Sequence, residues 1–448
     1  MYKEIIDWID IFLVPAYFSF FLLILLWIKK RNPNNILIQK YLVKGFIFKV
    51  ACAIFYGLLI NFYYGFGDSL TYFRDAIFLK HQITVGAETI HVLGGDYKTI
   101  VETHGIIGGG GPQGLAIEKL SLVLSYISFS RYLVVTLFFC AIAYSGMFKM
   151  LQTFYDIMPE WHKRLALIVL FFPSISVFGS GILKDTICMA ALGWLLYSGH
   201  QLFVKKHFSL KYILILLISA AIISYIKIYI LAAFIIPYIL YLLILLVKKI
   251  QNGFMRRVIL PLLIVIVVGL YVANAERIDD MLGSYAVEKL FDTIKDQQTS
   301  YLSGEDAEAG GVFDLGSFEP NLSGFLAKMP SGIVASIYRP FIWESKKFII
   351  VFSAVESLFL LWLTLYVPYK TGIRRFITGI FNNPFTFLCI SYALLFGGLI
   401  GLSTFNFGTL ARYRIPLIPF YTVGLLNILY NYQKTNRQKP LQNIPVSQ

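Results

Sequence analysis

Charge is what this sequence has little of. Of its 448 residues 14% are charged and 57% hydrophobic, whereas a soluble globular domain carries roughly 25% charged residues. That excludes an ordinary water-soluble fold and a disordered chain alike. Cysteine is scarce too. Cys52, Cys140, Cys188 and Cys389 each fall inside an apolar run, which excludes a disulfide framework and a zinc site and leaves them as small packing residues. The glycine-rich "GIIGGGGP" (105–112) lacks the Gly-Lys-Ser/Thr that makes a phosphate loop, so it reads as a flexible tether. His81, His91 and His104 match no metal-ligand spacing. The start, "MYKEIIDWID", has neither a basic leader nor a small-residue cleavage site, so the first apolar run is expected to stay as a helix. No internal repeat is visible.

What is there is a succession of apolar runs long enough to cross a hydrocarbon core of roughly 30 Å. They are continuous and do not alternate with period two, which excludes a β-barrel. The expected fold is all-α and polytopic, with about eleven spans. These lie near 9–28, 42–62, 132–151, 165–179, 186–203, 212–226, 229–247, 258–273, 348–367, 385–402 and 415–431, the sixth and seventh forming a tight hairpin around "YIKIY". Basic clusters at 29–31, 162–164, 205–206, 248–249, 256–257, 374–375 and in the tail fall in alternate loops, which read as cytoplasmic. Of the 25 acidic residues, only Asp156 and Glu160 share those loops. The N-terminus is then outside and the C-terminus inside. The net charge of +14 records topology and does not call for nucleic acid. One transmembrane domain (1–431) is expected, with long outer segments at about 63–131 and 274–347 and a disordered cytoplasmic tail at 432–448. "EKLSLVLSYIS" in the first outer segment has the spacing of an interfacial helix.

Charged clusters gather on the expected outer side: Asp68, Arg74 and Asp75 after the second span, Lys184 and Asp185 between the fourth and fifth, and Lys227 in the hairpin. Arg339 and Glu344 precede the ninth span, Arg412 and Arg414 the eleventh. Charge near the depth where helices end is costly, so its common sidedness points to an anion-binding cavity. Transfer from a lipid-linked phosphosugar suits it: arginines at 412 and 414 would bind the leaving phosphate, and Asp68 would take the acceptor's proton. Gly65 and Gly67 would allow a sharp turn there. Tyr72 and Trp343 are candidates for stacking on a sugar ring. Plainer readings stand beside these. Asp68 fits a helix cap, Lys184–Asp185 an interfacial ion pair or cap, Arg412 and Arg414 snorkelling anchors, and Glu356, inside a span, a buried hydrogen bond.

Three stretches carry a family resemblance. "GFGDSLTYFRDA" resembles the acidic first outer loop of GT-C-type membrane glycosyltransferases. "PSISVFGSGILKDTICMA" is similar to a mid-chain segment of that group, and "ARYRIPLIPF" to the start of a late helix in its dolichyl-phosphate-mannose-transferase-like members. The resemblance implies a GT-C fold, a polyprenyl-phosphate-linked donor, a glycan or lipid acceptor and an inverting transfer in a bacterial cytoplasmic membrane. It implies catalysis by Asp68 and phosphate contacts from Arg412 and Arg414. No organic cofactor is implied; a divalent cation is compatible. The acidic loop here follows the second helix, where the family has it after the first. A weaker resemblance is to Wzy-type polymerases of oligosaccharide repeat units, and a flippase of lipid-linked glycans is a rival of another class.

Overall fold

The computed structural model describes residues 6–104, 106, 111–250, 295, 299, 311–316, 319, 321–345 and 348–442. Among them the regular structure is helical apart from one antiparallel bridge, Val312 with Asn406. Seven helices among the described residues are long and apolar enough to cross a membrane. The expected eighth span, 258–273, lies outside the described residues, as do most of the glycine-rich stretch at 105–112 and most of 274–310. The chain divides into two compact units, Met1–Lys227 and Ile228–Gln448.

In the N-terminal unit the spans are α1 (Asp10–Arg31) and α2 (Ile38–Tyr64). Between α2 and the next span, the expected outer loop is a small helical assembly: α3 (Asp68–Thr84), α4 (Thr89–Gly94), α5 (Tyr97–His104) and α6 (Gly111–Ile127). It has its own apolar core of Ala76, Leu79, Val92, Ile100, Leu115 and Leu122. The expected interfacial helix is α6; Leu115 and Leu122 face this core, and Val123, Tyr126 and Ile127 are exposed. α7 (Tyr132–Ile157) and α10 (Lys184–Val204) are mostly buried, whereas α1 is mostly exposed in this bundle and presents apolar residues suited to lipid. Between α7 and α10 the expected fourth span is two short helices, α8 (His162–Leu170) and α9 (Pro173–Phe178). Pro173, which has no N–H to donate, opens the second.

α7 and α10 meet backbone to backbone. A Cβ on Gly193 would lie 2.0 Å from the carbonyl oxygen of Gly146, and one on Gly146 would lie 2.1 Å from that of Ala190. In lipid, apolar side chains gain little by leaving their surroundings, so close packing of small residues holds helices together. Polar contacts fix which helix ends share a face. Asp7 and Arg131 pair before α1 and α7. At the opposite end Tyr41 bonds His162 at 2.6 Å, and Asp156 pairs with Lys205.

The expected sixth and seventh spans are one helical stretch, α11 (Leu210–Val247), in which Lys227 alone leaves helical geometry (φ −149°, ψ 75°). The C-terminal unit contains its second half and α12 (Leu322–Tyr338), α13 (Phe348–Thr371), α14 (Ile373–Asn382), α15 (Pro384–Ser403), α16 (Phe407–Tyr413) and α17 (Leu417–Gln442). Phe234, Tyr392, Phe396 and Phe420 form its aromatic centre. α12 falls in what the sequence suggested was an outer loop, yet it packs on α15 so tightly that a Cβ on Gly401 would lie 1.9 Å from the carbonyl oxygen of Gly332. α17 runs on to Gln442, so the segment expected to be a disordered tail from 432 begins as helix.

Candidate active site

In the N-terminal unit the last turn of α2 widens, with the Gly65 N–H donating to the Ile60 carbonyl at 2.9 Å. Gly65 (φ 71°) and Gly67 (φ 132°) then both adopt positive φ, which a side chain would oppose. That turn delivers Asp68 as the first residue of α3, half-exposed. Gly67 occupies the capping position and no side chain caps the helix, so Asp68 is not the N-cap that its sequence context suggested. Its charge instead faces the positive end of the helix dipole. Asp75 lies seven residues on, two helical turns deeper on nearly the same face, and is buried.

Beside Asp75 sits a residue the sequence reading passed over. Glu118 of α6 is wholly buried, and neither carboxyl oxygen has a hydrogen-bond partner among the described residues. Burial pushes its carboxyl up to about 8; Asp75 adds to the rise, and Lys184 and Lys119 oppose it. At neutral pH it is therefore largely protonated. The signal was present: Leu115, Glu118 and Leu122 recur at three- and four-residue spacing, which puts the carboxyl on the buried face. Tyr72 packs into the same contact. A Cβ on Gly114 would lie 3.1 Å from its ring and 3.6 Å from Glu118 Oε1. Tyr72 is 1% exposed and so offers no surface to a sugar. Arg74, its neighbour on α3, is half-buried.

Lys184 begins α10, and Asp185 in the same turn accepts from Lys227 Nζ at 2.5 Å. The residue that interrupts α11 is thus held by a buried ion pair. Lys49 lies mid-way along α2, fully buried and with no hydrogen-bond partner for Nζ among the described residues. It points toward Gly179, in the non-helical stretch between α9 and α10. The sequence reading missed this residue as well: a lone lysine in an apolar run was absorbed into the span.

The C-terminal unit has its own charged end. Arg414 is wholly buried and nearly saturated: it donates to Ser357 Oγ (2.7 Å), Ser353 Oγ (2.9 Å) and the carbonyls of Ser353 and Arg339 (both 3.0 Å). Glu356, the carboxylate inside α13, faces it at 3.6 Å. Arg339 donates through Nε to both oxygens of Glu344 (3.0 and 3.1 Å), and its guanidinium lies over Phe313 and Phe407. Arg412 is half-buried against the ring of its neighbour Tyr413. Trp343 is 81% exposed and stacked on Phe341. No group of three or more His, Cys, Asp or Glu residues placed to hold a metal occurs among the described residues.

Comparison with protein-family models, with curated proteins and with solved structures finds no match. What the helices define is a class: a polytopic α-helical integral membrane protein.

Proposed function

We propose that this chain is an integral-membrane glycosyltransferase. It moves a sugar from a polyprenyl-phosphate-linked donor to an acceptor hydroxyl at the membrane face where α3 begins. One observation carries the reading. Asp75, Glu118, Lys184 and the Asp185–Lys227 pair come from four helices to one end of the N-terminal unit, where Glu118 is desolvated with no hydrogen-bond donor among the described residues. A perturbed carboxyl beside a lysine suits acid–base chemistry on an anionic substrate.

In the proposed reaction the acceptor oxygen attacks the anomeric carbon, the carbon–oxygen bond to phosphate breaks, and the phosphate leaves with the electron pair. Asp68, half-exposed at the head of α3, takes the acceptor's proton. Lys184 stabilises the charge that grows on the leaving phosphate. Glu118, wholly buried and carrying its proton at neutral pH, does not touch the donor; it sets the electrostatics around Asp75 and Lys184. On the C-terminal unit half-buried Arg412 is the proposed contact for an anionic group, and Arg414 is structural, its guanidinium held by Ser353, Ser357 and two backbone carbonyls.

Asp68→Asn tests this directly. Transfer should fall by ~10²–10⁴, the usual worth of a positioned base, while the protein purifies with an unchanged thermal midpoint. Full activity in that variant would remove Asp68 from the mechanism. The glycan that accumulates on gene deletion separates the rivals. One missing sugar supports transfer, unpolymerised single repeats support a polymerase, and glycan stranded on the inner leaflet supports a flippase. Transport is the second reading because Lys49 places a buried charge mid-span, where transporters build their sites.

A further inference from the structure

α14 is a ten-residue helix linking two spans, α13 and α15. A connector that short between two membrane helices lies at the bilayer surface. Its sequence "IRRFITGIFN" is amphipathic in the sense that placement needs. Ile373, Ile377 and Phe381 recur every four residues and are exposed, whereas Arg375, Thr378 and Asn382 occupy the opposite face.

That polar face forms one wall of a cavity of about 320 Å³, closed on the other side by Asn383 and by Asn431 and Tyr432 of α17. The cavity's polar groups have fixed directions. The Asn383 carbonyl oxygen caps α15, accepting from the N–H groups of Phe385 and Thr386 (both 3.0 Å), which leaves its NH₂ as a donor. The Asn431 NH₂ is spent on the Asn427 carbonyl at 2.8 Å, which leaves its amide oxygen as an acceptor. The Arg375 guanidinium is held over the Tyr432 ring at 5.3 Å. Lys248 donates to the carbonyl of Asn382 and adds a second cation at the rim.

We propose that this cavity binds the phosphate headgroup of an anionic phospholipid. Arg375 and the Asn383 amide take the phosphate oxygens, and Asn431 accepts from a headgroup hydroxyl. The argument for a lipid is position: the exposed Ile373, Ile377 and Phe381 lie on the acyl-chain side of the helix whose other side lines the cavity, so a headgroup can enter while its chains stay in the bilayer. A phosphocholine headgroup has no hydroxyl to offer Asn431 and brings a cation toward Arg375. None of the residues lining the cavity is assigned to transfer.

The test is native mass spectrometry of the full-length protein in detergent with added phosphatidylglycerol, phosphatidylcholine or inorganic phosphate. Wild type should retain phosphatidylglycerol in preference to phosphatidylcholine. Arg375→Gln should weaken retention about tenfold, the scale of one charge-assisted contact. Thr378→Leu, which narrows the cavity, removes a lining hydroxyl and keeps every charge, should weaken it as well. Arg374→Gln, on the same helix but not lining the cavity, should retain wild-type binding. Equal retention of the two lipids, equal loss in Arg374→Gln and Arg375→Gln, or inorganic phosphate that binds as tightly as phosphatidylglycerol would overturn the lipid assignment.

Discussion

The two units solve the same problem in opposite ways. Each buries an ionisable side chain completely. In the C-terminal unit Arg414 is buried with four hydrogen bonds and a facing carboxylate. In the N-terminal unit Glu118 is equally buried with no hydrogen bond among the described residues. A saturated charge ties helices together and has little left to give a substrate. A buried carboxyl with no hydrogen bond costs stability even when protonated, and perturbed groups of that kind cluster at functional sites. The degree of satisfaction therefore says more about chemistry than the number of charges does.

The largest expected effect comes from breaking the saturated network. Arg414→Leu strands Glu356 in a span and should cost about 3–5 kcal/mol, seen as loss of monodisperse protein and a lower thermal midpoint. An unchanged midpoint would mean that Arg414 is not architectural. Glu118→Gln sharpens the other half of the comparison. A carboxyl held at about 8 in the folded chain and near 4.5 when unfolded binds its proton more tightly in the native state. Its stabilising contribution is complete below pH 4.5 and is lost as pH rises toward 8. The wild-type midpoint should therefore fall across that window relative to Glu118→Gln, whose neutral amide does not titrate. Parallel pH profiles would remove the perturbed carboxyl. The smallest effect on folding is expected at Arg412, half-buried on its own ring neighbour. Arg412→Gln should lower the midpoint less than Arg414→Leu while raising the KM for the lipid donor; an unchanged KM would take it out of donor binding.

Much of the membrane architecture was legible. Long apolar runs predicted α1, α2, α7, α10, α13 and α15, because a continuous run of that length has few other uses. α12 was not legible. Its Gly324, Lys328, Pro330 and Gly332 read as loop residues by the rules of water-soluble chains, yet here the glycine at 332 is what lets the backbone of α15 approach. The fourth span failed for a related reason. Hydropathy does not register a break, and "LFFPS" is apolar right through the point where α8 ends and α9 begins. At the candidate site the sequence pointed to charges at helix ends, Asp68 and Lys184 among them, since ionisable residues are conspicuous in so apolar a chain. It could not rank them. Arg414 and Arg412 look alike two residues apart; only packing separates a guanidinium closed in by two serines from one lying on a tyrosine. Glu118 hid because its helix seemed to belong to a surface loop, where a glutamate is unremarked.

The placement of α12 also bears on how this protein can be probed. A protease site or reporter inserted between 322 and 338, chosen because that stretch resembles a dangling connector, would split a helix seated against its neighbour and report on damage instead of sidedness. Tags meant to map the membrane faces belong in the exposed turn at Gly86, where a Cβ would meet nothing within 4 Å.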